Sequence, residues 1–363
     1  MSMSRRQVGV NCPRMARRSL GLLAGTLAVA WFLGEGGFVR AEEMGAPSRQ
    51  IVDPALETYL PTVGLKGKLV VVGSDTMQLV LSKFGKEFRR WYPDVTVSVE
   101  TEGSPAGFEQ FLEWSSTVHG NGRSMLMAYS HPLEPERIKE FTVKMGYGPM
   151  EIEVALGAVT LYVHESNPLR ELTLEKVDAM FGTTRKRGAP SDLTRWGQLG
   201  LRGEWEQKPI HLYGRDMHSG TRFLFELEAL LGGRFKANIQ EERGVGPLVL
   251  AISNDPLGVG YAGVSFQELT TVKIVAIAET AGKQFIKPSA EAVRQGLYPM
   301  GRKLFLYANK APSQDLAPIV REFLQFANSR EGQTMVVQSG FYPLSISEVT
   351  SNLLMLAAPT KSK

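Results

Sequence analysis

The heptapeptide Arg215-Asp216-Met217-His218-Ser219-Gly220-Thr221 sets a fixed cation, two hydroxyls and a glycine side by side. An apolar spacing follows at once, with Phe223, Leu224, Leu227, Leu230 and Leu231 closed by Gly232-Gly233. That spacing predicts a helix that begins at Ser219 to Thr221. Unpaired backbone N–H groups and the macrodipole there favour an anion. Arg215, just upstream, can offer a planar fork to two oxygens of a tetrahedral oxyanion. The same residues suit an ordinary N-cap beside a solvated arginine. The heptapeptide alone leaves both readings open.

Three other strand ends repeat the theme. Lys68-Leu69-Val70-Val71-Val72 reads as a strand ending in Gly73-Ser74-Asp75-Thr76, ahead of a helix with Met77, Val80, Leu81, Phe84, Phe88 and Trp91 at helical spacing. Val95, Val97 and Val99 alternate as a second strand, and Gly103-Ser104-Pro105-Ala106-Gly107 turns into a helix carrying Phe108, Phe111 and Leu112. Ser124 to Ala128 reads as a third strand, ending at Tyr129-Ser130-His131-Pro132. In open α/β sheets ligands bind beyond the carboxyl ends of strands. Each hydroxyl taken singly suits a cap or turn; their recurrence favours Thr76, Ser104 and Ser130 gathering with the heptapeptide.

Later elements are a buried strand over 154–163, a helix from Leu172 to Gly182, and strands at Ile210-His211-Leu212-Tyr213 and Val259–Gly263. A last αβα-like stretch runs from Lys303 through Phe326 to Pro343. The basic loop 183–192, with Arg185, Lys186 and Arg187, reads as solvated, and the end from Ser351 to Lys363 is expected to fray.

The chain of 363 residues is long enough for two cores. Arg14, Arg17 and Arg18 precede an apolar run from Leu20 to Leu33, and Val39-Arg40-Ala41 offers small residues for cleavage, the layout of an export signal. Arg17-Arg18 also permits a twin-arginine route. The chain has 41 basic and 37 acidic side chains; residues 1–41 hold six of the former and one of the latter, leaving 35 against 36, a net charge of −1. The basic balance thus belongs to the leader, and nucleic-acid binding loses its electrostatic motive. The single cysteine, Cys12, also lies in the leader, so the remainder has no disulfide, thiol nucleophile or cysteine metal site.

Catalytic and metal signatures such as His-Glu-x-x-His, Gly-x-Ser-x-Gly and the Walker loop are missing from the sequence. Residues Gly258 to Gly263 match the dinucleotide fingerprint in letters, but no long amphipathic helix follows, and the match is rejected. The five histidines show no metal-ligand spacing. His131 and His218 stand in hydroxyl-rich turns, which leaves one catalytic rival: an exported phosphohydrolase with either histidine as base or nucleophile and Asp75 as its orienter.

Taken in order, these residues resemble the periplasmic phosphate-binding proteins of phosphate ABC transporters, a branch of the type II solute-binding proteins. The resemblance spans residues 66–345. It rests most on Arg215-x-x-x-Ser219-Gly220-Thr221, supported by the first loop at Gly73–Thr76, the second at Gly103-Ser104 with Gly107, and Ser130-His131-Pro132-Leu133. It implies an α/β fold of two lobes joined by two crossovers, with ligand in the cleft between them. Residues 66–152 with 264–345 would form one lobe and 153–263 the other, with an export signal at 1–41, a linker at 42–65 and a C-terminal tail at 346–363. The implied phosphate site comprises Ser74, Asp75, Thr76, Ser104, Ser130, His131, Arg215, Ser219, Gly220 and Thr221. His131 stands where family members carry an aspartate that accepts the proton of the bound phosphate; a neutral imidazole, or Asp75, would have to replace it. The implied function is non-enzymatic capture of inorganic phosphate in the periplasm for an ABC permease of the inner membrane. The protein would be a monomer using no cofactor, metal or nucleic acid. The alternatives are another tetrahedral oxyanion, and a sensor without a permease.

Overall fold

In the computed structural model, which describes residues 51–117, 123–217, 219–264, 271–312 and 314–357, strands and helices alternate as the sequence pattern requires. The first half comprises β1 (Gly67–Gly73), α1 (Gln78–Trp91), β2 (Val95–Glu100), α2 (Ser104–Ser115), β3 (Arg123–Tyr129) and α3 (Pro135–Met145). A long β4 (Met150–His164) leads to β5 (Glu171–Thr173), α4 (Leu174–Phe181), β6 (His211–Arg215) and α5 (Gly220–Glu228). Then come β7 (Gln240–Glu242), α6 (Val245–Ser253), β8 (Gly258–Gly263), β9 (Val272–Ala278) and α7 (Ala290–Arg294). The return is β10 (Gly301–Ala308), followed by α8 (Pro318–Ala327), α9 (Arg330–Gln338) and α10 (Ile346–Ala357). No helix among the described residues is long and apolar enough to cross a membrane. The expected export signal lies outside the described residues.

The strands follow the order β2-β1-β3-β10-β4-β8-β6-β7, with β9 also on β4 and β5 on β9. β1 is parallel to β2 and β3, and its residues are covered on both faces. Leu69 and Val71 meet Phe84, Phe88, Phe323 and Phe326 on one side, while Val70 and Val72 meet Phe108, Phe111 and Phe141 on the other. Two-sided burial explains why this strand reads as an unbroken apolar run rather than an alternation. β4 does the joining. Its first part, Met150 to Ala158, is antiparallel to β10, and its second, Val159 to His164, pairs with β8 and β9. β4 and β10 are the two crossovers of a two-lobed fold.

Three expectations change on contact with this packing. Residues 272–300, expected with the first lobe, pair and pack with the second: β9 lies on β4, and Ala292, Val293, Tyr298 and Met300 enter the core of Trp196, Phe225 and Tyr261. The chain returns to the first lobe only at β10. The described part of the expected linker, residues 51–65, is irregular but packed, since Leu56 and Tyr59 are buried and Arg330 donates to the carbonyls of Pro54 and Leu56. The expected frayed tail is helical through Ala357, because Ser345 and Glu348 cap it reciprocally and Asn352 bonds the Glu153 carbonyl at 2.7 Å.

Candidate functional site

The carboxyl ends of β1 and β3, the turn after β2 and the loop after β6 meet at one place. The close approach depends on two glycines. Gly73 has φ +120°, and a Cβ on it would strike the Ala128 carbonyl; a Cβ on Gly107 would strike the Gly73 backbone. The Gly103 N–H donates to the Gly73 carbonyl at 2.9 Å, tying the second loop to the first. These contacts set Ser74 and Ser104 beside Ser130, all three fully buried.

The second lobe closes on this floor through α5. A Cβ built on Gly220 would collide with Ser130 Oγ and come within 3.4 Å of Ser74 Oγ and 3.5 Å of Ser104 Oγ. Thr76 and Thr221 join hydroxyls across the cleft at 3.1 Å. Asp75 reaches over to accept from Arg215 Nη2 at 2.7 Å and from the Gly220 N–H at 3.2 Å. Ser219 caps α5, its Oγ accepting from the Thr221 N–H at 3.2 Å. The ordinary cap reading of Ser219 therefore holds alongside its place in the cleft.

Arg215 is 4% exposed. Its carbonyl is fixed by Arg222 at 3.1 Å and Tyr261 at 3.4 Å, and Tyr261 stacks on Phe225 of α5 at 4.0 Å. The far end of α5 is also held. Lys186 donates to the carbonyls of Leu231 and Gly232, and Arg187 to those of Glu228 and Ala229. The basic loop expected to be solvated is thus a C-terminal cap on the helix whose N-terminus faces the cleft.

His131 is buried, stacked on Phe223 of α5 at 4.7 Å and edge-on to Tyr129. Burial pushes its pKa below the ordinary value; the Pro132 carbonyl and Glu134 oppose this, and Arg302 adds to it. A neutral ring with Nδ1 3.0 Å from the Pro132 carbonyl must donate there, which leaves Nε2 as an acceptor. Asp75 bonds Arg215 and Gly220, and among the described residues it makes no bond to His131, so the pairing of Asp75 with His131 invoked for a phosphohydrolase is not formed. His218 lies outside the described residues.

All ten residues singled out from the sequence lie in this cluster. One that was not singled out joins them: Arg302 of β10, 4% exposed, whose Nη2 donates to Thr221 Oγ1 at 3.2 Å. Burial lowers its pKa to about 9, with Asp75 opposing and Arg215 reinforcing the shift. The available signal was an arginine at the start of an apolar strand run, where charge is rarely placed without a partner.

The cluster holds an unusual set of open polar groups. Ser74 Oγ, Ser104 Oγ, Ser130 Oγ, Arg215 Nε and two nitrogens of Arg302 are shielded from solvent without a hydrogen-bond partner among the described residues. Each such group costs about 1–3 kcal/mol. Hydroxyls and guanidinium N–H groups converging at a helix N-terminus match a ligand made of acceptor oxygens.

A two-lobed α/β molecule with polar donors from both lobes in its cleft belongs to the class of solute-binding proteins. Comparison with known proteins agrees. The model of the PBP superfamily domain matches residues 53–331. The phosphate-binding protein PstS of Pseudomonas aeruginosa is 36% identical over 307 residues, covering 85% of this chain and 92% of PstS. A Clostridium perfringens protein solved with bound phosphate shares the fold with TM-score 0.60 at 22% identity, over 77% of this chain and 100% of that one. An ABC-type phosphate transport receptor from Vibrio cholerae superposes with TM-score 0.58 at 16% identity, over 77% of this chain and 100% of the receptor. The chain belongs to the PBP superfamily, in the branch that includes PstS of Pseudomonas aeruginosa.

Proposed function

We propose that this protein is an exported receptor that captures inorganic phosphate between its lobes and delivers it to an ABC-type permease. One observation carries the reading: buried donors without partners among the described residues converge on the N-terminus of α5 from both sides of the cleft. Ser74, Thr76, Ser104 and Ser130 would bind from the first lobe; Arg215, Ser219, Gly220 and Thr221 would bind from the second. Asp75 or His131 Nε2 would accept the proton of hydrogen phosphate, a role that sulfate cannot satisfy. The phosphate named for PstS and found in the Clostridium perfringens structure supports the choice of anion. Because the site is split, occupancy favours closure, and closure is what a permease would sense.

Five or six charged hydrogen bonds at about 1.5–3 kcal/mol each span roughly 8 to 18 kcal/mol, which reaches the ~8 kcal/mol of a micromolar complex at the low end and leaves margin for closure over the rest of the range. Titration calorimetry with phosphate and with sulfate tests this directly. Phosphate heat with sulfate ignored is expected. Heat with neither anion would remove the reading, and turnover of a chromogenic phosphoester would replace a receptor with a hydrolase.

A further inference from the structure

Arg302 is poorly explained as a structural residue. It sits on the returning crossover strand, buried, with one bond to Thr221 and with Nε and Nη1 unpartnered among the described residues. The opposite charge it feels is Asp75, which is already bonded to Arg215 and Gly220. A buried guanidinium in this state destabilises the fold, and an apolar side chain of similar length would serve packing better. Its position inside β10 also differs in kind from that of the other candidates, which lie at a strand's carboxyl end, in loops or at helix starts. β10 pairs with β3 on one side and β4 on the other, so Arg302 reaches the cleft from the hinge itself.

We propose that Arg302 is a second guanidinium ligand of the bound anion, supplied by the crossover, and that with Arg215 it makes the site prefer a doubly charged tetrahedral oxyanion to a singly charged one. The proposal rests on the oxyanion reading of the cleft. Two guanidiniums against one carboxylate leave one positive charge, and the N-termini of α2 and α5 add roughly half a charge each. A dianion closes that balance. Without Arg302, a monoanion would. The charged groups facing Arg302 are Asp75 after β1 and Arg215 at the end of β6, with His131 after β3 close enough to feel it. Burial disfavours the charged form of His131, so the balance counts only the two guanidiniums and the carboxylate.

The test is titration of wild type, R302Q, R302M and R302K with phosphate and sulfate at pH 6 and pH 8, with thermal unfolding of each unliganded protein. Phosphate passes from mostly singly to mostly doubly charged over this range, and the same pair of pH values applied to R302Q reports any titration of the rest of the protein; sulfate, doubly charged throughout, is expected to give no heat with wild type. Wild type is expected to bind phosphate more tightly at pH 8. R302Q and R302M should bind about a hundredfold more weakly at pH 8, from two lost charged hydrogen bonds, and lose that preference. R302K, with the charge but not the fork, should fall between. The unliganded Gln and Met variants should melt at or above wild type, an outcome a structural role would reverse. Phosphate affinity in R302Q within about threefold of wild type would overturn the proposal, as would a fall in affinity matched by a fall in melting temperature. A pH preference that survives in R302Q would overturn the charge selection. If wild type binds neither anion, the oxyanion reading fails first, and the two failures are therefore separable.

Discussion

Asp75 and Arg215, 140 positions apart in sequence, meet across the cleft at 2.7 Å, and the other oxygen of Asp75 accepts from the Gly220 N–H. The carboxylate thus engages two of the donors proposed for the anion. In D75N the repulsion that an ionised carboxylate exerts on sulfate disappears, together with the acceptor offered to hydrogen phosphate. The phosphate-to-sulfate affinity ratio should narrow by about tenfold to a hundredfold, the equivalent of one charged hydrogen bond. Calorimetric titration of both anions checks it. An unchanged ratio would assign the acceptor role to His131. R215A should be harsher, costing about 3 kcal/mol or more of phosphate binding, because it also leaves Asp75 uncompensated beside the ligand.

Gly220 is required for space rather than for an unusual backbone angle. A methyl group there would overlap Ser130 Oγ, so G220A should hold the lobes apart. Overpacking of about 1–3 kcal/mol predicts at least about a tenfold loss of phosphate affinity. Small-angle scattering of G220A should show no contraction on adding phosphate, whereas wild type should contract. Contraction of both would mean that the cleft can accommodate the methyl group.

The strand-end hydroxyls and the Arg-x-x-x-Ser-Gly-Thr pattern were legible because local rules place them: a β-branched run, a glycine turn, then a helix start. What was not legible depends on distant partners. Arg302 draws its meaning from Thr221 and Asp75, which lie far away in the chain. The allocation of residues 272–300 depends on which half of β4 receives β9, and no local pattern encodes that choice. The helical end is legible in the sequence itself, since Ser345 and Glu348 form a capping signature there.

Arg187 tests whether the C-terminal cap of α5 matters to the site at its other end. R187A removes donors from two carbonyls and a cation from the negative end of the helix. Chemical denaturation should show a loss of about 1–2 kcal/mol, since the site is partly buried. Phosphate affinity should fall less than about tenfold, because the N-terminal donors stay in place. A larger fall in affinity than in stability would make the loop 183–192 a determinant of binding rather than of the fold.

His131 gives the fold a pH dependence whose sign follows from its burial. Its folded pKa lies below the ordinary value of 6.5, and burial is the main cause. Above that value neither the folded nor the unfolded chain holds a proton at this ring, and stability is unaffected. As pH falls through about 6.5, the unfolded chain takes up a proton that the folded chain refuses, and stability is lost until the folded pKa is reached. Arg302 strengthens the refusal, while Glu134 and the Pro132 carbonyl weaken it. The melting temperature of wild type should therefore decline between pH 7 and pH 5 more steeply than that of H131Q, which has no ring to titrate. The stack on Phe223 of α5 carries the effect into the cleft, because a protonated ring would lose its Nε2 acceptor at the same time. Parallel melting curves for the two proteins across that range would show that His131 accepts its proton without opening the fold.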